Sequence, residues 1–240
     1  MRPSTTQAVR NNAEWCATVC GARGRPGTFS EHLWVGDQPP PYYPDIITLA
    51  PASPARDAAL REAIDRHRSH GARQLSVKDS FGDADLAPAG CSVLFEARWF
   101  GRPGTRAIRT ARGGGEQWTV VRRDEDLAAW RKAWDAKIVD TDPVFAPALL
   151  QEEDVVFIAA RGGRDIVAGA AINRHAGAVG VSNFFSHAAN AAAHWSECVS
   201  IAMARFPGLP VVGYAPGAEL AGALATGFDA LGPLRVWVAK

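Results

Sequence analysis

Two clusters of polar side chains have types and spacings that could do chemistry. Lys78-Asp79-Ser80 follows the strand-like run Gln74–Val77. An ammonium, a carboxylate and a hydroxyl side by side can bind a carboxylate or capture a proton, and the same three residue types also make turns. Asn183, Ser186 and His187 close a strand-like run that starts at Ala178. They gather an amide, a hydroxyl and an imidazole just ahead of a helix, where Ser186 or Asn190 would equally well cap the helix. His67 and His70 are three apart on a helix and can share a face, but no third ligand accompanies them. Cys16 and Cys20 are four apart with no second pair or nearby histidine, and Cys91 and Cys198 lie in apolar contexts, so all four read as buried thiols and no metal site is expected. There is no Gly-x-Ser-x-Gly, no paired-carboxylate pattern and no phosphate loop.

The elements that must position these groups follow from a chain of 240 residues, 47% hydrophobic and 21% charged. That balance supports a real core and one large domain or two small ones. A formal net charge of +1 supplies no global field toward nucleic acid or a membrane. No apolar run reaches the ~18–20 residues of a membrane span, and the first residues lack the apolar core of a signal peptide. A cytoplasmic protein is expected.

Periodicity predicts an amphipathic helix over residues 7–22, a surface connection through the proline-rich 39–44, and a short strand at 46–49. A helix at 55–70, ended by Gly71, precedes the strand at 74–77 and an alternating strand at 92–100. Residues 101–115 hold four arginines and five glycines, a connection that could also dock an anion. A strand at 118–121, a helix capped by Asp124 that runs to about Lys137, and strands at 155–160, 166–172 and 178–185 follow. The helix at 190–206 turns Trp195, Cys198, Val199, Ala202 and Phe206 inward. The chain closes on an apolar run at 209–213, the helix-favouring Ala218–Thr226, Gly227-Phe228 and a strand at 234–238.

Helix, strand, helix, strand thus occurs twice. Gly71 precedes Gly208 by the same distance along the chain as Gly90 precedes Gly227. At that offset Ile64 falls on Ile201, Arg68 on Arg205 and Leu94 on Leu231. An internal duplication is expected.

Strand, helix, Gly-Phe, strand at the end of the chain resembles the C-terminal half of the GNAT superfamily of acyltransferases. From Trp118 to Val238 the element order is similar almost throughout. The implied fold is a mixed α/β sheet, with a smaller GNAT-like half over 1–112 preceding a GNAT-like domain over 113–240. The resemblance implies an acyltransferase that moves an acyl group from acyl-CoA, as co-substrate, to the amine of a small molecule. It puts Phe184, Phe185 and Ser186 beside the donor, and Asn183 and His187 where they orient substrate or relay a proton. The family's pyrophosphate loop corresponds to Phe185–Asn190, which has neither glycine nor arginine. Its general-acid tyrosine corresponds to Ala223, and the nearest phenol is Tyr214 at the end of the preceding strand. The ligand is expected between the strands ending at Phe185 and Tyr214, which diverge in the family. Two other readings stay open: a GNAT-like binding module without CoA, and a transferase drawing an aminoacyl group from tRNA, since such enzymes pair GNAT-like domains and lack the CoA loop.

Overall fold

The computed structural model describes residues 2–69, 74–105, 116–137, 142–187 and 191–239. Gly71, His70, most of the arginine-rich connection and the Ala188–Asn190 part of the loop lie outside the described residues. Helix α1 (Thr5–Gly21) starts where the Ser4 hydroxyl accepts the Gln7 N–H at 3.1 Å. Strands β1 (Thr28–Phe29), β2 (Leu33–Val35) and β3 (Ile46–Thr48), helix α2 (Pro54–Ser69), and strands β4 (Leu75–Asp79) and β5 (Ser92–Arg102) complete the first half. Next come β6 (Gln117–Val121), α3 (Asp124–Trp134), β7 (Val155–Gly162), β8 (Asp165–His175) and β9 (Ala178–Ser186). The chain ends with α4 (Ala191–Arg205), β10 (Val211–Ala215), α5 (Gly217–Ala225) and β11 (Asp229–Ala239). Asp124 is the first residue of α3 rather than its cap; Arg123 holds the cap position and makes no side-chain cap bond.

All eleven strands join one sheet in the order β1-β2-β3-β4-β11-β5-β10-β9-β8-β7-β6. Its centre is an exchange between the halves. Strand β5 of the first half lies between β10 and β11 of the second, and β11 lies between β4 and β5, antiparallel to both. Outside this core each half carries one parallel pair, β3 with β4 and β9 with β10.

The expected duplication is visible in this order. The offset that relates Gly90 to Gly227 also carries the first and last residues of β5 onto those of β11, and the first residue of α2 onto that of α4. It relates Ala97 to Leu234 as well, and these two pair directly, so the sheet order is symmetric about them.

Helices cover both faces. α4 and α5 pack over Phe100, Ile158, Val179 and Val211, with the inward stripe Trp195, Cys198, Val199, Ala202 and Phe206 buried as the periodicity predicts. α1 and α3 cover the opposite face around Trp99, Trp130, Phe145 and Phe157. Asn11 fixes α1 there: its amide donates to the His175 and Ala178 carbonyls at 3.0 Å, and its carbonyl accepts from Asn173 at 3.2 Å. Gly180 permits the approach, because a Cβ there would sit 2.2 Å from Asn11 Oδ1. The four cysteines are free and buried.

Two local expectations are corrected. Lys78 and Asp79 are not turn residues: they end β4, and with Ser80 they are buried. Strands β3 and β11 flank them, with Ile47 and Val236 opposite Lys78, a tertiary effect invisible in local composition. The proline-rich 39–44 is not only a surface connection, since Tyr43 turns inward and is 8% exposed.

Candidate functional site

Strand β10 pairs with β5 along its whole length, but with β9 only at Val211–Val179 and Val212–Gly180. Beyond those two pairs the parallel strands part, and the sheet opens. A bulge in β9 accompanies the opening. Ser182 pairs with Ala171 and Phe185 with Gly169, so Asn183 and Phe184 face Ala170 alone. Asn183 has φ +54°, a conformation that asparagine tolerates better than most residues. Such a bulge bends its strand and re-aims the side chains on it.

The opening leads to a cavity of about 780 Å³, within the range of small-molecule sites. All six residues singled out in the sequence line it: Asn183, Phe184, Phe185, Ser186, His187 and Tyr214. So does Ala223 on α5, where the resemblance would have had a tyrosine. Tyr214 cannot occupy that place in space. Its ring packs with Trp99 on the α1 face, whereas Ala223 belongs to the cluster under α4 and α5.

Each polar group has a defined partner. Asn183 Oδ1 accepts from the Tyr43 hydroxyl at 3.4 Å, a long bond. Burial pushes the Tyr43 phenol well above its ordinary pKa, so it stays a proton donor. His187 is exposed, and its Nε2 lies 2.7 Å from the Ala133 carbonyl. A carbonyl only accepts, so Nε2 carries the hydrogen and neutral His187 keeps a lone pair on Nδ1. Ser186 Oγ is 2.9 Å from Nδ1 of His194, which is fully buried with its Nε2 3.4 Å from Glu116 Oε2. Ser186 therefore ties the end of β9 to α4 through a side chain.

The other wall comes from the first half of the chain. Asn12, Trp15 and Cys16 of α1, Tyr43, and Lys78 of β4 all line the cavity. Lys78 Nζ donates to Asn12 Oδ1 at 2.8 Å and to the Tyr214 hydroxyl at 3.4 Å, and lies 4.4 Å from the Tyr214 ring centroid. Burial raises the Cys16 thiol pKa, with the Lys78 charge pulling the other way, so Cys16 is held as a thiol. Sequence reasoning noticed Lys78 but set it in a separate cluster. It missed Asn12, Trp15 and Tyr43, which carry no motif and reach the cavity only through the folding of α1 and 39–44 onto the sheet. Among the described residues no group of three histidine, cysteine or acidic side chains could hold a metal.

Solved structures share this architecture. A GCN5-related N-acetyltransferase from Kribbella flavida superposes with a TM-score of 0.64 at 16% identity, covering 94% of this chain and 95% of that one. A putative acetyltransferase of the GNAT family from Novosphingobium aromaticivorans gives 0.57 at 16% identity over 95% and 98%. A tandem GNAT protein from the clavulanic acid biosynthesis pathway gives 0.57 at 12% identity over 81% and 73%. No protein-family model matches the sequence, and no curated protein matches it either. At such identities the likeness is one of fold: this chain has a GNAT-like fold of mixed α/β type. Among the described residues no helix is long and apolar enough to cross a membrane.

Proposed function

We propose that the protein is an N-acyltransferase that moves an acyl group from acyl-CoA to the amine of a small molecule inside the cavity between β9 and β10. The observation that carries this reading is the parting of two parallel strands after only two residue pairs, beside a bulge at Asn183. A slot through a sheet lets an extended donor lie along one strand while an acceptor enters from the other face. Phe184, Phe185 and Ser186 would border the donor on β9, with the first turn of α4 at Ala191 and Ala192 beyond them. The apolar wall of Val181, Phe184 and Trp195 suits the acyl and pantetheine portion. Acyl-CoA supplies the activated thioester.

In the transfer, the amine nitrogen forms a bond to the acyl carbon, the carbon–sulfur bond breaks, and the amine loses a proton while the departing sulfur gains one. His187 Nδ1 would take the first proton, directly or through a water. The Tyr214 hydroxyl would supply the second, since no phenol stands at Ala223. Asn183, held by Tyr43, would orient the acceptor. The test is release of free thiol from acetyl-CoA across a panel of primary amines. His187→Ala and Tyr214→Phe should each lower kcat by ~10²-fold or more, with denaturation midpoints close to the parent. Full activity in both variants would contradict these roles.

A further inference from the structure

The cavity has an end, at Lys78 and Asn12, to which the transfer assigns no role. Lys78 is 4% exposed, and its ammonium is held by two neutral groups, the Asn12 carbonyl oxygen and the Tyr214 hydroxyl. Among the described residues no carboxylate forms an ion pair with it. A buried charge is costly unless it is paired, and here the missing partner faces a cavity large enough to deliver one. The groups around Lys78 have donors to spare. Asn12 gives its carbonyl oxygen to Lys78, while its amide nitrogen has no hydrogen-bond partner among the described residues. The Tyr214 hydroxyl accepts from Lys78 and keeps its own hydrogen for the departing sulfur. The only acid lining the cavity among the described residues is Glu219, on α5 and thus on the opposite face of the sheet. An ammonium without an anionic partner among the described residues and an amide with unused N–H groups, in hydrogen-bond contact with each other on the cavity wall, supply the donors that a carboxylate accepts.

We propose that the α1 end of the cavity is a carboxylate subsite, formed by Lys78 and Asn12, so that the amine accepting the acyl group belongs to a molecule that also bears a carboxylate, such as an amino acid. This rests on the acyltransferase reading for the role of the amine, but the subsite stands on its own geometry. It also gives the first half of the chain a function. Lys78 belongs to β4 and Asn12 to α1, and both reach across to a cavity opened between two strands of the second half.

The test measures binding apart from turnover. The full chain is titrated by calorimetry with the protein amino acids and, for each, its α-amide, a pair that differs in charge with little change in size. At least one acid should bind about 10-fold or more tightly than its amide. Lys78→Met should abolish that preference and Lys78→Arg should retain part of it. Lys78→Gln is measured alongside, and near-ultraviolet circular dichroism verifies that each variant is folded. Acids and amides binding alike, a preference that survives Lys78→Met and Lys78→Gln, or silence from the whole panel would overturn the subsite. Acetyl-CoA is titrated separately. Its failure to bind while the acid preference persists would overturn the transferase reading and leave the subsite standing, and the reverse result would do the opposite.

Discussion

Lys78 and Tyr214 occupy equivalent positions on the two sides of the sheet's centre, and their side chains meet. Lys78 is opposite Val236 and Tyr214 is opposite Trp99, and those partners stand at the same sequence offset as Ala97 and Leu234. The Lys78 ammonium then rests 4.4 Å from the Tyr214 ring centroid on the α1 face. Two positions related by strand pairing across the sheet's centre thus flank a single cavity and are filled differently, with a cation and with a phenol, although the repeat offset itself carries Lys78 to Ala215. In the first half β3 also pairs with β4 at two positions, Ile46–Val77 and Ile47–Lys78, but there the Thr48 Oγ1 accepts the Ser80 N–H just beyond and bridges the two strands.

The bulge sets the shape of the slot through the backbone of Asn183. Glycine adopts φ +54° freely, whereas a β-branched residue is an outlier there. Asn183→Gly keeps the bulge and should lose only the long hydrogen bond from the Tyr43 hydroxyl, about 1 kcal/mol. Asn183→Val should cost a further ~1–3 kcal/mol, read from urea unfolding. Equal stability of the two variants would show that the bulge relaxes without cost.

Trp195 supports the floor of the cavity. It is 9% exposed, packs against Phe100, Phe184 and Phe228, and donates its indole N–H to Thr226 Oγ1 at 3.0 Å. Trp195→Ala should cost ~3–5 kcal/mol, from lost transfer energy and a residual void. An unchanged unfolding midpoint would mean that this face of α4 does not carry the core.

The strand exchange predicts that the second half does not fold alone. A fragment of residues 113–240 lacks β5, which supplies the ladder between β10 and β11. Two open edges would remain in the middle of the sheet, a template for aggregation. The fragment should be insoluble when expressed alone and be recovered as a complex when 1–112 is expressed with it. A soluble, cooperatively unfolding 113–240 monomer would show that the division at 112/113 separates independent domains.

Much of the fold was legible in the sequence because the pattern of each element is local. The stripe from Trp195 to Phe206, the alternation around Ala97 and Trp99, and the repeat offset all survive in the structure. The opening between β9 and β10 was legible only through the family resemblance, since nothing in Val211–Ala215 itself announces where pairing lapses. Lys78 shows the limit most sharply. By local composition it is a turn residue; only the placement of α1 and the exchange of β5 and β11 make it a buried wall of the same cavity as Tyr214. Asn12 and Tyr43 have no signature at all, because what brings them to the site is tertiary packing.

The central claim is that a thioester donor enters the slot between β9 and β10. Calorimetric titration of the protein with acetyl-CoA tests this most directly, on the parent and on Gly222→Trp. Gly222 lines the cavity, and no atom lies within 4 Å of where its Cβ would be, so a side chain there starts without a clash. The expected result is micromolar binding, about −8 kcal/mol, with one acetyl-CoA per chain, in the cavity beside β9 and β10. Gly222→Trp should abolish that binding without loss of stability. Silence at millimolar acetyl-CoA, or unchanged binding to Gly222→Trp, would contradict the claim.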